Sequence, residues 1–123
     1  MRFTENHEWI ELEGSVGRVG ITEAARDEIG DITFIELPKV GQKVKALEEV
    51  CVMESSKAAI DIYAPVSGEI ISVNHEVVQH PEILQKENGT VKGWLFTIRL
   101  SHPKEYDELM DEAAYQAWKY SEK

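Results

Sequence analysis

Glu54-Ser55-Ser56-Lys57-Ala58 holds one lysine between two runs that read as strands, Val50-Cys51-Val52-Met53 before it and Ala59-Ile60-Asp61-Ile62-Tyr63 after it. Apolar, β-branched alternation favours paired strands, and small polar residues such as Ser55 and Ser56 suit the turn between them. The stretch therefore reads as a hairpin with Lys57 at its tip and the side chain in water. A lysine presented that way is a poor nucleophile by itself, because a catalytic lysine needs burial or a neighbouring cation to shed its proton. These residues alone leave two readings open: a solvated surface lysine, or an address read by another enzyme.

Working outward, Gly41 follows Leu37-Pro38-Lys39-Val40, and Gly68 stands in Ala64-Pro65-Val66-Ser67-Gly68-Glu69-Ile70. Proline presets a turn dihedral and glycine tolerates positive φ, so both segments are expected to be turns that close hairpins. Further strands are expected over residues 8–13, 16–21, 32–36, 49–54, 59–63, 68–74 and 94–100, with Glu13-Gly14-Ser15 closing a first hairpin. Short strands separated by turn signals indicate a mainly β fold, a sandwich or barrel rather than βαβ units. Thr22 suits the N-cap of a short helix from Glu23 to Ile29 that Gly30 ends. Ser101 and Pro103 open a C-terminal helical segment, about residues 102–119. There Tyr106, Leu109, Met110, Ala113, Ala114, Ala117 and Trp118 recur at helical spacing, and the segment is expected to pack on the sheet.

The chain has 123 residues, which suits one domain spanning 1–123 around a hairpin core of about 32–74. Its net charge of −10, from 13 basic and 23 acidic residues, gives no footprint for phosphate backbones, so nucleic acid is not an expected partner. That negative field favours a monomer and would steer the chain onto basic docking faces. The single cysteine, Cys51, cannot form an internal disulfide and reads as a small buried hydrophobe between Val50 and Val52. His7, His75, His80 and His102 lack metal-ligand spacing, so no metal is expected. Trp9, Trp94 and Trp118 are expected to anchor the core. No apolar run spans a membrane and the N-terminus lacks a signal-peptide core, which together give a cytoplasmic expectation.

The glycine-flanked strand pair about Lys57 resembles the lipoyl and biotinyl carriers. Biotinyl carriers place Met on both sides of the lysine, whereas Ser56 and Ala58 flank it here, which fits a lipoyl acceptor. The resemblance narrows further. His7-Glu8-Trp9-Ile10, Val19-Gly20-Ile21-Thr22-Glu23-Ala24-Ala25, Ile29-Gly30-Asp31-Ile32, Glu36-Leu37-Pro38, Tyr63-Ala64-Pro65-Val66-Ser67-Gly68-Glu69 and Gly93-Trp94-Leu95 are similar to blocks of the glycine cleavage system H proteins. They run in one order from about residue 5 to 118, and agreement of several motifs in context carries far more weight than one.

This resemblance implies a barrel-sandwich hybrid of two antiparallel sheets, with lipoate joined through an amide to Lys57. It implies a non-catalytic shuttle. A pyridoxal-phosphate-dependent glycine decarboxylase would leave an aminomethyl group on one sulfur of the arm, an aminomethyltransferase would pass it on, and dihydrolipoyl dehydrogenase would reoxidise the dithiol. A lipoate ligase or an octanoyl/lipoyl transferase would modify Lys57, reading Glu54, Ser55, Ser56 and Ala58 within the frame of Gly41 and Gly68. By the same resemblance, Glu8 and Asp61 line the cleft that shelters the cationic amine of the loaded arm.

Two departures stand out. Gln85-Lys86-Glu87-Asn88-Gly89-Thr90-Val91-Lys92 replaces a proline-containing turn of the family with an Asn-Gly turn, and Glu28 stands where some members carry histidine. Competing readings are a relay protein that donates lipoate or octanoate to other enzymes, and the lipoyl domain of a 2-oxoacid dehydrogenase, which usually carries Asp before the lysine. An enzyme in its own right would need a convergent nucleophile, base and oxyanion site, which the sequence does not offer.

Overall fold

Alternating side chains set the two sheets. In the strand Glu8–Glu13 the inward positions Glu8 and Ile10 are fully buried, while Glu11 and Glu13 face solvent. The computed structural model describes residues 1–84, 86–87, 90–91 and 93–121. In chain order the elements are β1 (Arg2–Phe3), β2 (Glu8–Glu13), β3 (Val16–Ile21), α1 (Glu23–Ile29), β4 (Ile32–Glu36), β5 (Lys43–Val44), β6 (Glu49–Ser55), β7 (Ala59–Tyr63) and β8 (Gly68–Val73). There follow α2 (Glu76–Gln79), a 3₁₀ turn at Pro81–Ile83, β9 (Lys86–Glu87), β10 (Thr90–Val91), β11 (Phe96–Leu100), α3 (Lys104–Asp107) and α4 (Glu112–Ser121).

The strands form a six-stranded sheet in the order β1-β2-β3-β11-β8-β5 and a three-stranded sheet in the order β4-β6-β7, both antiparallel, with β9 and β10 paired separately. Ile10, Val19, Ile21, Ile70, Phe96 and Ile98 of the large sheet share a buried core with Ile35, Met53 and Ile62 of the small one. At about 25 cal/mol per Å² of apolar surface removed from water, this shared core is the main term holding the sheets together. A second cluster lies elsewhere: Phe3, Trp9 and Tyr115, joined by the half-buried Trp94, Met110 and Trp118.

Most expected strands appear, with differences at the ends. β6 extends one residue to Ser55, β8 stops at Val73, and regular pairing of β11 begins only at Phe96. Before that point Leu95 N donates to Val19 O (2.7 Å) and Asn74 N to Leu95 O (2.9 Å), a junction that belongs to neither ladder. The turns at Pro38–Gly41 and Pro65–Gly68 do not close hairpins as expected. They carry the chain from one sheet to the other, because β4 and β7 lie in the small sheet and β5 and β8 in the large one. Gly41 does adopt φ +90°. Gly68 instead opens β8, where a Cβ would lie 2.0 Å from the Arg99 carbonyl oxygen of β11, so close strand approach fixes its identity.

The C-terminal segment is not one apolar helical stripe. Between α3 and α4 the chain opens at Met110 to pair with Phe3, through Phe3 N to Met110 O (2.7 Å) and Met110 N to Phe3 O (3.1 Å). Asp111 then starts α4, accepting from Ala114 N at 2.8 Å. Tyr106, Leu109, Met110 and Trp118 pack as expected, but the break exposes Ala113, Ala114 and Ala117, and the buried residue of α4 is Tyr115, stacked on Phe3 with centroids 4.8 Å apart. The Asn88-Gly89 turn lies outside the described residues; the strands flanking it pair in antiparallel register, Glu87 opposite Thr90.

Candidate functional site

The hairpin tip is folded by one serine. Ser55 N donates to Ala58 O (2.8 Å), and Ser55 Oγ accepts from Lys57 N (3.2 Å) and Ala58 N (3.1 Å). This serine turn satisfies the backbone at the apex, leaving Ser56 and Lys57 exposed. Glu54 is also exposed, and its carbonyl accepts from Thr33 Oγ1 of the adjacent strand β4. Glu54, Ser55, Ser56 and Ala58 thus surround Lys57 as expected from their order. Gly41 and Gly68 do not, since they lie past the base of the hairpin, and the six residues from Tyr63 to Lys57 alone span about 20 Å of strand. Both are turn and packing glycines of the large sheet.

Lys57 does not simply extend into water. Its stem lies across Gly30 at the end of α1, so that a Cβ on Gly30 would come within 2.6 Å of Lys57 Cε. Gly30 has φ +74° and ψ −139°, a conformation that side chains disfavour, and donates its N–H to Arg26 O. Arg26 secures this corner, its Nη1 donating to Gly30 O and its Nε to Leu84 O at 2.8 Å. Thr22 caps the other end of α1, accepting from Ala25 N. The helix expected over Glu23 to Ile29 therefore brings its C-terminal glycine under the lysine.

Beside the hairpin a groove of about 260 Å³ runs along β7, the edge strand of the small sheet. One wall is Ala59, Ile60, Asp61 and Tyr63; the other is Glu5, Asn6 and His7 together with Ala25 and Glu28 of α1. Glu5, Glu28 and Asp61 make its charged lining acidic. Asp61 also raises the carboxyl pKa of Glu49 on the neighbouring strand, through like-charge repulsion and a side-chain hydrogen bond. Of the two expected cleft carboxylates, only Asp61 lines the groove.

Glu8 is fully buried and lies outside the lining. Its Oε1 accepts from Thr4 Oγ1 at 2.7 Å and its Oε2 from Tyr63 N at 3.1 Å, so one carboxyl joins β2 to the edge of β7. Burial pushes its pKa up to about 7, despite these two hydrogen bonds favouring the ionised form. Nothing in the sequence marks Glu5 or His7 for the groove, and Glu28 stands out only as a departure from the family pattern. The signal for Glu28 was its helical position, one turn after Ala25 on the same face.

A model of the glycine cleavage H-protein family matches residues 1–122. The chain belongs to the glycine cleavage H-protein family. The H protein of Caulobacter vibrioides is 48% identical over 120 residues, covering 96% of this chain and 97% of that protein. The H protein of Parvibaculum lavamentivorans is 46% identical over 115 residues, covering 94% and 91%. A crystal structure of the H protein from Mycobacterium marinum aligns with a TM-score of 0.81 at 35% identity, covering 95% of this chain and 94% of that one. H proteins are the lipoyl-carrying shuttles of glycine cleavage, and the hairpin described above fits that role: an exposed lysine on a braced turn, with a glycine beneath it where any side chain would crowd the stem.

Among the described residues no group of His, Cys, Asp and Glu is arranged to hold a metal ion, and no helix is long and apolar enough to cross a membrane. Cys51 is buried in β6, and burial, with Glu36 nearby, pushes its thiol pKa up to about 12.

Proposed function

We propose that Lys57 is the lipoyl attachment point of this H protein and that the groove along β7 shelters the cationic amine carried on the arm. The observation behind this reading is the placement of Lys57 at an exposed hairpin apex, its stem crossing Gly30, with Asp61 about 13 Å further along β7. When bound, the lipoyl group would supply a disulfide that is reduced as it takes up a one-carbon amine and is reoxidised afterwards.

The chain's own residues present and protect. Ser55 holds the apex so that Lys57 projects in one direction, and Gly30 leaves room for the stem to turn. Glu5, Glu28 and Asp61 would attract a primary ammonium, and Glu8, outside the lining, ties β2 to the groove strand β7 at Tyr63. An acidic groove suits an amine cargo better than the uncharged octanoyl or lipoyl cargo of a relay protein, which favours the glycine cleavage shuttle. The protein contributes no catalytic acid, base or nucleophile to the reactions, and its one thiol is buried.

As a monomeric, single-domain carrier the chain would visit the glycine decarboxylase, the aminomethyltransferase and dihydrolipoyl dehydrogenase in turn, at the high effective concentration that tethering gives. A lipoate ligase or octanoyl/lipoyl transferase would read Glu54, Ser55, Ser56 and Ala58 around the lysine. Incubation with lipoate, ATP and a lipoate ligase should add one lipoyl group to the folded protein and none to Lys57→Arg. Equal labelling of the variant, or no labelling of the folded wild type, would overturn the assignment.

A further inference from the structure

The groove wall facing β7 is assembled from two separate pieces, the segment 5–7 and α1, which a backbone bond joins and which one buried hydroxyl bridges through side chains. Tyr115 OH donates to Oγ1 of Thr22, the N-cap of α1, at 3.1 Å, and lies 2.7 Å from His7 Nδ1. With its hydrogen directed to Thr22, the phenol oxygen accepts from His7 Nδ1–H, which orients the imidazole at the groove rim. His7 has φ +66°, an uncommon conformation for a residue with a side chain, and its carbonyl accepts from Thr22 N at 2.9 Å. Tyr115 itself comes from α4, nearly a hundred residues away in sequence. It is buried against Phe3, and the Phe3–Met110 pairing anchors the start of its helix.

We infer that Tyr115 is a positioning residue for the arm groove, and that α4 governs how long the cargo stays sheltered through the His7–Tyr115–Thr22 chain. Among the described residues none from α4 lines the groove, yet the hydroxyl it contributes contacts both halves of one wall. The inference rests on the groove reading proposed above. Loss of that hydroxyl leaves the ring stacked on Phe3, so the core stays filled while the wall loses its side-chain bridge and keeps only the Thr22 N to His7 O bond.

Tyr115→Phe tests this in two ways. In the unmodified protein, hydrogen exchange at the Thr22 and Ala25 amides should rise about tenfold, the scale of one lost internal hydrogen bond, while exchange in β8 and β11 stays unchanged. In the lipoylated, aminomethyl-loaded protein, the lifetime of the cargo should fall about five- to tenfold at a temperature far below unfolding. Ile98→Val, a core change in β11, controls for general destabilisation and should leave both readouts at wild-type values. Wild-type exchange and lifetime in Tyr115→Phe would overturn the inference, as would an equal shortening by Ile98→Val. A shortened lifetime in Asp61→Asn with none in Tyr115→Phe overturns this inference alone, whereas an unchanged lifetime in Asp61→Asn overturns the groove reading beneath it.

Discussion

Glu8 Oε2 accepts a hydrogen bond from the backbone N–H of Tyr63 at 3.1 Å, and this contact closes the six-stranded sheet onto the free edge of the three-stranded one. An edge strand presents unpaired amides, and here a buried carboxyl takes one of them from another sheet. The arrangement makes the β7 wall of the groove, at Tyr63, depend on one titratable group behind it.

Stability should therefore fall as the solution becomes less acidic. Burial raises Glu8 from 4.5 to about 7, so the folded protein holds this proton more tightly than the unfolded chain. Its contribution is fully present below about pH 4.5 and is lost as pH rises through about 7, with a full size of about 3 kcal/mol. Urea unfolding of wild type and Glu8→Gln at pH 5 and pH 8 should show the variant losing less stability between the two. An identical loss in both proteins would refute the assignment.

The acidic lining predicts which variants release the cargo. Asp61→Asn and Glu28→Gln should each shorten the lifetime of the aminomethyl-loaded form about two- to fivefold, as expected for an exposed charge interaction, with little change in melting temperature. The effect should shrink as salt is raised. A lifetime independent of both carboxylates and of salt would show that the groove does not hold the amine.

Gly30 should be intolerant of any side chain. Its backbone conformation alone should make Gly30→Ala cost roughly 1–3 kcal/mol. The added Cβ would also displace Lys57, so lipoylation by a ligase should slow several-fold even where the variant is fully folded. Gly14→Ala supplies the comparison, since Gly14 also has positive φ but a Cβ there meets nothing within 4 Å. That variant should lose stability while keeping wild-type lipoylation kinetics; equal slowing in both would remove the steric argument.

Cys51 should resist alkylation in the native state. With its thiol pushed up to about 12 and enclosed in β6, it should react with iodoacetamide only on unfolding. Rapid labelling of the folded protein would contradict the burial.

The hairpin, α1 and its caps were legible because each is written locally: alternation in β6 and β7, Thr22 and Gly30 at the ends of α1, Ser55 in the turn. Glu8 and Tyr115 were harder. Strand alternation puts Glu8 on the same face as Ile10, but nothing local says that a carboxyl will be buried there, because its partners Thr4 and Tyr63 are set by tertiary packing. Tyr115 was hidden by the wrong helical phase. Helical spacing ran unbroken through residues 106–118, whereas the pairing of Phe3 with Met110 splits the segment and resets the face, a long-range contact that overrides local periodicity. The remote position of Gly41 and Gly68 likewise follows from the sheet crossovers, not from their spacing about Lys57.

The most direct measurement is tandem mass spectrometry of the protein purified from its own cells grown with ample lipoate and glycine. A single lipoyl group, confined to the peptide containing Lys57, is the expected result. Unmodified Lys57 throughout the population, or the lipoyl group on another lysine, would contradict it.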